Sequence, residues 1–316
     1  MTVESLAEPT LESVESLLRD ELAHGDAALS TSAPVLRHLL AHGDNALLSD
    51  EVVARTRALL ADVASQLLDA LAEAVAAADP VAFLAGRRDS LALALADEPA
   101  LLAHVHALAI EGIVSLELQA RSGIDPVLCP QLQELVASPD GDLAGIAIAA
   151  LAAQARFILH HGQMTLPLGE LPGDLLAQAF RVLESHAAKR GDAARAAVHQ
   201  LSAQFDENHS RLGLISQLVA RMGEPALGLD IRHAGLAIFA TALAATSKQE
   251  RDVCVLSFAD GRGVRLALSL RAAGLTAAEV ESQLLHADAD VVLPQGFAAL
   301  SEDRAALLLH GSAPGE

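Results

Sequence analysis

The stretch SDEVVARTRALLADVASQLLDALAEAVAAADP, residues 49–80, decides the fold class. Leu60, Val63, Leu67, Leu71 and Val75 recur at three- and four-residue intervals, and Asp62, Gln66, Asp69 and Glu73 do so on another face. That is the period of an amphipathic helix with one side in a core and the other in water. Ser49 stands where a cap is wanted, and Pro80 is expected to stop the helix near Asp79.

The same signals recur along the chain. Thr10 is expected to cap a helix ending at Gly25, and Ser32 with Pro34 to open a second one ending at Gly43. A long helix is expected from about Asp97 to Gly123, with Pro99 in its first turn, then a short helix capped by Asp125 with Pro126 at its first position. Residues 143–161 form an Ala-rich segment apolar almost all round, of the kind found at the centre of a bundle. Further helices are expected over 174–190, 192–222, 229–246 and 301–310, with capping boxes at Ser247/Glu250 and Thr276/Glu279.

Composition agrees with this pattern. Of 316 residues, 52% are hydrophobic and only 2% aromatic, with no Trp or Tyr, so the core must be Leu, Ala, Val and Ile. Such residues suit closely packed helices rather than sheets. The expected fold is all-α, a multi-helix bundle or irregular helical array. The polar SPDGD stretch at 138–142 suggests a division into an N-terminal helical region, 1–138, and a C-terminal one, 139–316.

The phrase "LAHGD" occurs at 22–26 and again at 40–44. The pair His-Gly closes Leu-rich runs at His24-Gly25, His42-Gly43, His161-Gly162 and His310-Gly311. A glycine just past a helix adopts the left-handed conformation freely, and a histidine in the last turn meets the negative end of the dipole. The phrase therefore reads as helix punctuation rather than chemistry, with Asp26 and Asp44 free to cap whatever follows.

The formal charge of −20 disfavours nucleic acid and anionic membrane surfaces as partners. The longest apolar run, 143–153, is interrupted by Gln154 and Arg156, and no membrane span is expected. The acidic N-terminus lacks the pattern of a signal peptide. Cys129 and Cys254 lie far apart, as in a protein of the reducing cytoplasm.

Candidate sites are few. There is no H-E-x-x-H, C-x-x-C, P-loop, dinucleotide fingerprint or G-x-S-x-G, so no metal, cofactor or catalytic residue is expected. His104 and His106 are two residues apart and fall on different helix faces, whereas His104, Glu111 and Ser115 share one and form a candidate polar notch. The loop around Glu170, near Arg156, is a further place for a small ligand. The segment 259–266, ADGRGVRL, reads as a turn between helices. His209 lies in QFDENHSRLG, read as mid-helix, with Gly213 four residues on, the spacing of phosphotransfer helices in which the glycine gives a partner room. Arg211 stands two residues after the histidine, where such helices carry a basic side chain at the third position.

Two segments, 150–176 with Gln154–Phe157 and Glu170-Leu171-Pro172, and 234–276 with DGRGVRLAL and LRAAGLT, together resemble an all-helical family of alphaproteobacteria known only as a domain of unknown function, sometimes likened to HEAT-type stacks. The resemblance covers the C-terminal half. It implies a bacterial, cytoplasmic helical protein and carries over no catalytic residue. The expected function is a non-enzymatic regulatory or scaffolding module with a protein partner, and self-association is a further expectation. The alternatives are a phosphorelay component acting through His209 and a small-molecule-binding helical protein.

Overall fold

Because aliphatic side chains at helical spacing dominate the chain, every described element is a helix or a turn between helices. The computed structural model describes residues 11–42, 49–260, 263–287 and 292–311, which form fifteen α-helices, five short 3₁₀ turns and, among the described residues, no strand. This is an all-α protein.

Helices α1 (Leu11–His42) and α2 (Asp50–Ala74) lead into the short α3 (Pro80–Leu84) and α4 (Arg88–Ala96). The long α5 (Pro99–Ser122) follows, then α6 (Pro130–Val136) and α7 (Gly141–Gln163). After these come α8 (Gly173–His186), α9 (Gly191–Gln204), α10 (Arg211–Arg221) and α11 (Ile231–Ser247). The chain closes with α12 (Arg251–Leu256), α13 (Val264–Ala272), α14 (Ala277–Ala287) and α15 (Glu302–Gly311).

Two hydrophobic cores result, and α5 belongs to both. Its first half, with Leu101, Val105 and Leu108, packs with Leu60, Val63 and Leu67 of α2, Leu91 of α4 and Leu176 and Leu183 of α8. Its second half, with Ile110, Val114 and Leu118, packs with Leu18 of α1, Leu218 of α10, Phe239 of α11 and the aliphatic faces of α13 to α15. Each core draws on residues from both sides of Ser138, so the division of the core does not fall at the SPDGD stretch.

Several local signals act as expected. Ser49 caps α2 through the Val52 N–H, Gly123 ends α5 in the left-handed conformation, and Thr276 and Glu279 bond each other's backbone N–H at the start of α14. Others do not. Gly25 is buried inside α1, which continues unbroken to His42. Asp26 pairs with Arg265 instead of capping. Gly43 and Asp44 lie outside the described residues. Gly162 is passed too, and Met164 takes the left-handed position with its N–H on the carbonyls of His160 and His161. Helix α2 ends at Ala74, and Pro80 opens α3 behind an Asp79 cap rather than closing the preceding helix. Asp125 binds the N–H groups of Val127 and Leu128 in a turn, so the next helix waits until Pro130. Ser247 ends α11, its hydroxyl on the Leu243 carbonyl, and caps nothing.

Candidate functional site

An acidic residue in an apolar helix needs a countercharge once that helix is buried. Glu111 of α5 is 1% exposed and finds two. Arg211 donates from Nη1 to Oε1 at 2.6 Å and from Nη2 to Oε2 at 2.9 Å. Arg251 donates from Nη2 to Oε1 at 2.7 Å and from Nη1 to Oε2 at 2.9 Å. The paired oxygens of the carboxylate match the fork of each guanidinium, which is why arginine serves here.

The rest of the hub holds the arginines in place. Arg211 lies over the ring of Phe157 of α7, its Cζ 3.7 Å from the ring centre, and donates to Gln154 Oε1 at 3.1 Å. Gln154 in turn donates to the Pro126 carbonyl at 2.7 Å, and the Arg211 backbone N–H donates to Glu170 at 2.8 Å. Arg251 Nε reaches Thr241 of α11 at 3.0 Å. Beside them His104 Nδ1 lies 2.7 Å from Asp252. Residues of α5, α7, α10, α11 and α12 thus meet where α5 passes from one core to the other.

Burial pushes the Glu111 carboxyl up, but the Arg211 and Arg251 guanidiniums outweigh it and hold it well below the usual carboxylate range. Its oxygens are saturated with donors, so it is not poised to exchange protons as a general acid or base. Burial pushes the Cys254 thiol up to about 12 and raises that of Cys129, which makes both poor nucleophiles. The hub ties the two cores together.

The three residues of the expected notch lie on one helix but have separate partners. His104, Glu111 and Ser115 are all buried on α5, yet they do not act together: Glu111 turns to the arginines, His104 to Asp252, and the Ser115 hydroxyl to the Glu111 backbone carbonyl at 2.7 Å. Glu170 joins the hub, whereas Arg156 is exposed. The expected helix 192–222 is broken: α9 ends at Gln204, Asp206 caps a 3₁₀ turn at Glu207–His209, and Ser210 caps α10 through the Gly213 N–H. His209 is exposed and sits 2.8 Å from Asp206, but it is on that turn and not on a helix. Arg211 points inward at 2% exposure, and Gly213 serves the turn, since a Cβ there would collide with the Glu207 carbonyl. The three residues do not form a phosphotransfer surface.

A second feature is a surface. Among the described residues two helices, α5 and α7, are long and apolar enough to cross a membrane by length and composition, contrary to the reading of interrupted runs. For α5 the apolar window is 78% buried, the mark of a core helix, but for α7 it is 22%. Helix α7 is peripheral, not central. It rests on α6 and α10 through Ala147, Ala150 and Ala153, and turns Gly145, Ile148, Ala152, Ala155, Leu159 and Gly162 outward. Those six positions alternate by three and four residues, the seam spacing by which one helix receives another. No charged residue lies between Asp142 and Arg156.

With this all-α architecture in view, comparison with known proteins adds no relative: no family model, curated protein or solved structure matches the chain.

Proposed function

We propose that this protein is an interaction module that receives an apolar helix of a protein partner along the exposed seam of α7. The observation that carries the reading is that an uncharged helix face lies uncovered on a chain of net charge −20. Contiguous exposed apolar surface on an otherwise polar protein marks an association site. Ile148 and Leu159 are 55% and 58% exposed. Covering each would stabilise a complex by about 1–2 kcal/mol. The small residues between them let a second backbone approach closely, so packing adds to burial. The hub beneath fixes the seam: Gln154 and Phe157 hold α7 to Arg211, and Arg211 to the core.

The test places a photo-activatable side chain at Ala152 in protein produced in its own host. The expected product is a protein adduct of discrete mass that disappears when Ile148→Glu is added. A control with the same side chain at the exposed Asp89 should give none. Adducts with lipid, or equal adducts at both positions, would overturn the reading.

A further inference from the structure

The chain contains two pairs of adjacent basic residues, Arg87-Arg88 and Lys189-Arg190, far apart in sequence. The fold brings both to one ring. Phe83 of α3 is half-buried against the core that α2, α4 and α8 share. Arg87 Cζ lies 4.5 Å from the centre of that ring and Arg190 Cζ 5.5 Å. Arg87 also donates from Nη1 to the Phe83 carbonyl, which fixes it there. Arg88 and Lys189, both exposed, flank the two.

This cluster is not neutralised by its surroundings. Among the described residues, no carboxylate pairs with Arg87, Lys189 or Arg190. The acids nearest in sequence are engaged elsewhere, Asp89 with Arg88 and Asp192 with Arg195. The placement does not serve stability either. Arg87 and Arg190 occupy the N-cap positions of α4 and α9 and make no side-chain cap. A cation there meets the positive end of the helix dipole, where a capping oxygen or an acid is favoured. On a chain with 41 acidic residues against 21 basic ones, four cations gathered in this way call for an anion from outside.

We propose that the cluster binds a compact diphosphate anion, held by the Arg87 and Arg190 guanidiniums and flanked by Arg88 and Lys189. A guanidinium fork matches phosphate oxygens in pairs. Two forks over one ring suit a ligand with two linked anionic groups better than a single ion. The charge of −20 sets the size of that ligand. A nucleic acid or a long acidic peptide would run past the cluster over carboxylates. A compact anion stays within the local field, which reaches about 8 Å at physiological salt. Free pyrophosphate and the diphosphate of a nucleotide share this chemistry. The site is independent of the α7 seam, and neither reading needs the other.

The test is calorimetric titration of the full chain at physiological ionic strength, without divalent cations. The probes are pyrophosphate, ADP, orthophosphate and a pentaglutamate peptide. Saturable one-to-one binding of pyrophosphate is expected, at least about tenfold tighter than orthophosphate or the peptide. ADP as tight as pyrophosphate would place an ester in the site, and weaker ADP the free anion; both keep the proposal. Arg87→Gln with Arg190→Gln should weaken pyrophosphate binding at least about tenfold. Arg221→Gln, which removes an exposed charge on α10, should leave it unchanged. Should the double variant lose its helical circular dichroism, Arg88→Gln with Lys189→Gln removes two exposed cations and should weaken binding at least about threefold. Absence of saturable pyrophosphate binding, equal affinity for orthophosphate, tighter binding of the peptide, affinity kept in a folded cluster variant, or an equal loss in Arg221→Gln would overturn the proposal.

Discussion

Helices α5 and α7 are nearly the same helix by composition and opposite by placement. Their mean hydropathies are 1.5 and 1.6 over the most apolar windows, and they run for 24 and 23 residues. One is covered by α2, α4, α8, α12 and α14; the other leans on α6, α10 and one crossing with α5. Hydrophobicity says that a helix must be covered, and only the arrangement of distant segments says whether its own chain does the covering. In α5 the demand is met internally, at the cost of burying Glu111 with its two arginines. In α7 it is left for something else.

The largest effect that could break this contrast is at the hub. Glu111→Ala leaves Arg211 and Arg251 buried without their counterion, and should lower unfolding stability by about 3–5 kcal/mol in a denaturant titration. A loss below 1 kcal/mol would mean that the hub is open to water. Where the two helices cross, a Cβ at Gly112 of α5 would overlap the His161 ring of α7. Gly112→Ala should therefore cost about 1–3 kcal/mol by overpacking, and combining it with His161→Ala should recover part of the loss.

A smaller effect is in pH. Burial holds His106 and His161 at about 4, below the ordinary histidine value of 6.5. Below pH 6.5 the unfolded chain binds protons that the folded chain refuses, so stability falls as pH drops from 7 towards 4. The depressed Glu111 acts in the same direction only at lower pH: its contribution is present above the ordinary carboxylate value of 4.5 and is lost as pH falls towards its own. A His106→Gln, His161→Gln double variant should flatten the upper part of that profile in thermal melts at fixed ionic strength. The smallest effect on the isolated protein belongs to the seam. Ile148→Glu with Leu159→Glu should change stability by less than about 0.5 kcal/mol per site, because neither side chain is buried.

The all-α class was legible because Leu and Ala at helical spacing, with Ser49, Pro99 and Gly123 as punctuation, are local signals. Glycines were harder to read. Gly25 and Gly162 look like stops and are interior, since a single glycine costs a helix only about 1 kcal/mol and the helix formers on either side carry it through. The break at Asp206–Ser210 carried its own signal, two capping side chains four residues apart, hidden by good helix formers on either side. At the hub, Glu111 announced itself as an acid in an apolar helix. Its partners, 100 and 140 residues away, had no local mark at all. The exposure of α7 was misread for the same reason, because periodicity shows which face is apolar and not whether a neighbour arrives.

The most direct test of the account is the stability and the cross-linking of the Ile148→Glu, Leu159→Glu variant measured together, with the photo-activatable group at Ala152. The account predicts a melting transition close to wild type and loss of the protein adduct. An unfolded variant would place the α7 face inside the core after all, and a folded variant that keeps its adduct would remove the seam as the binding surface.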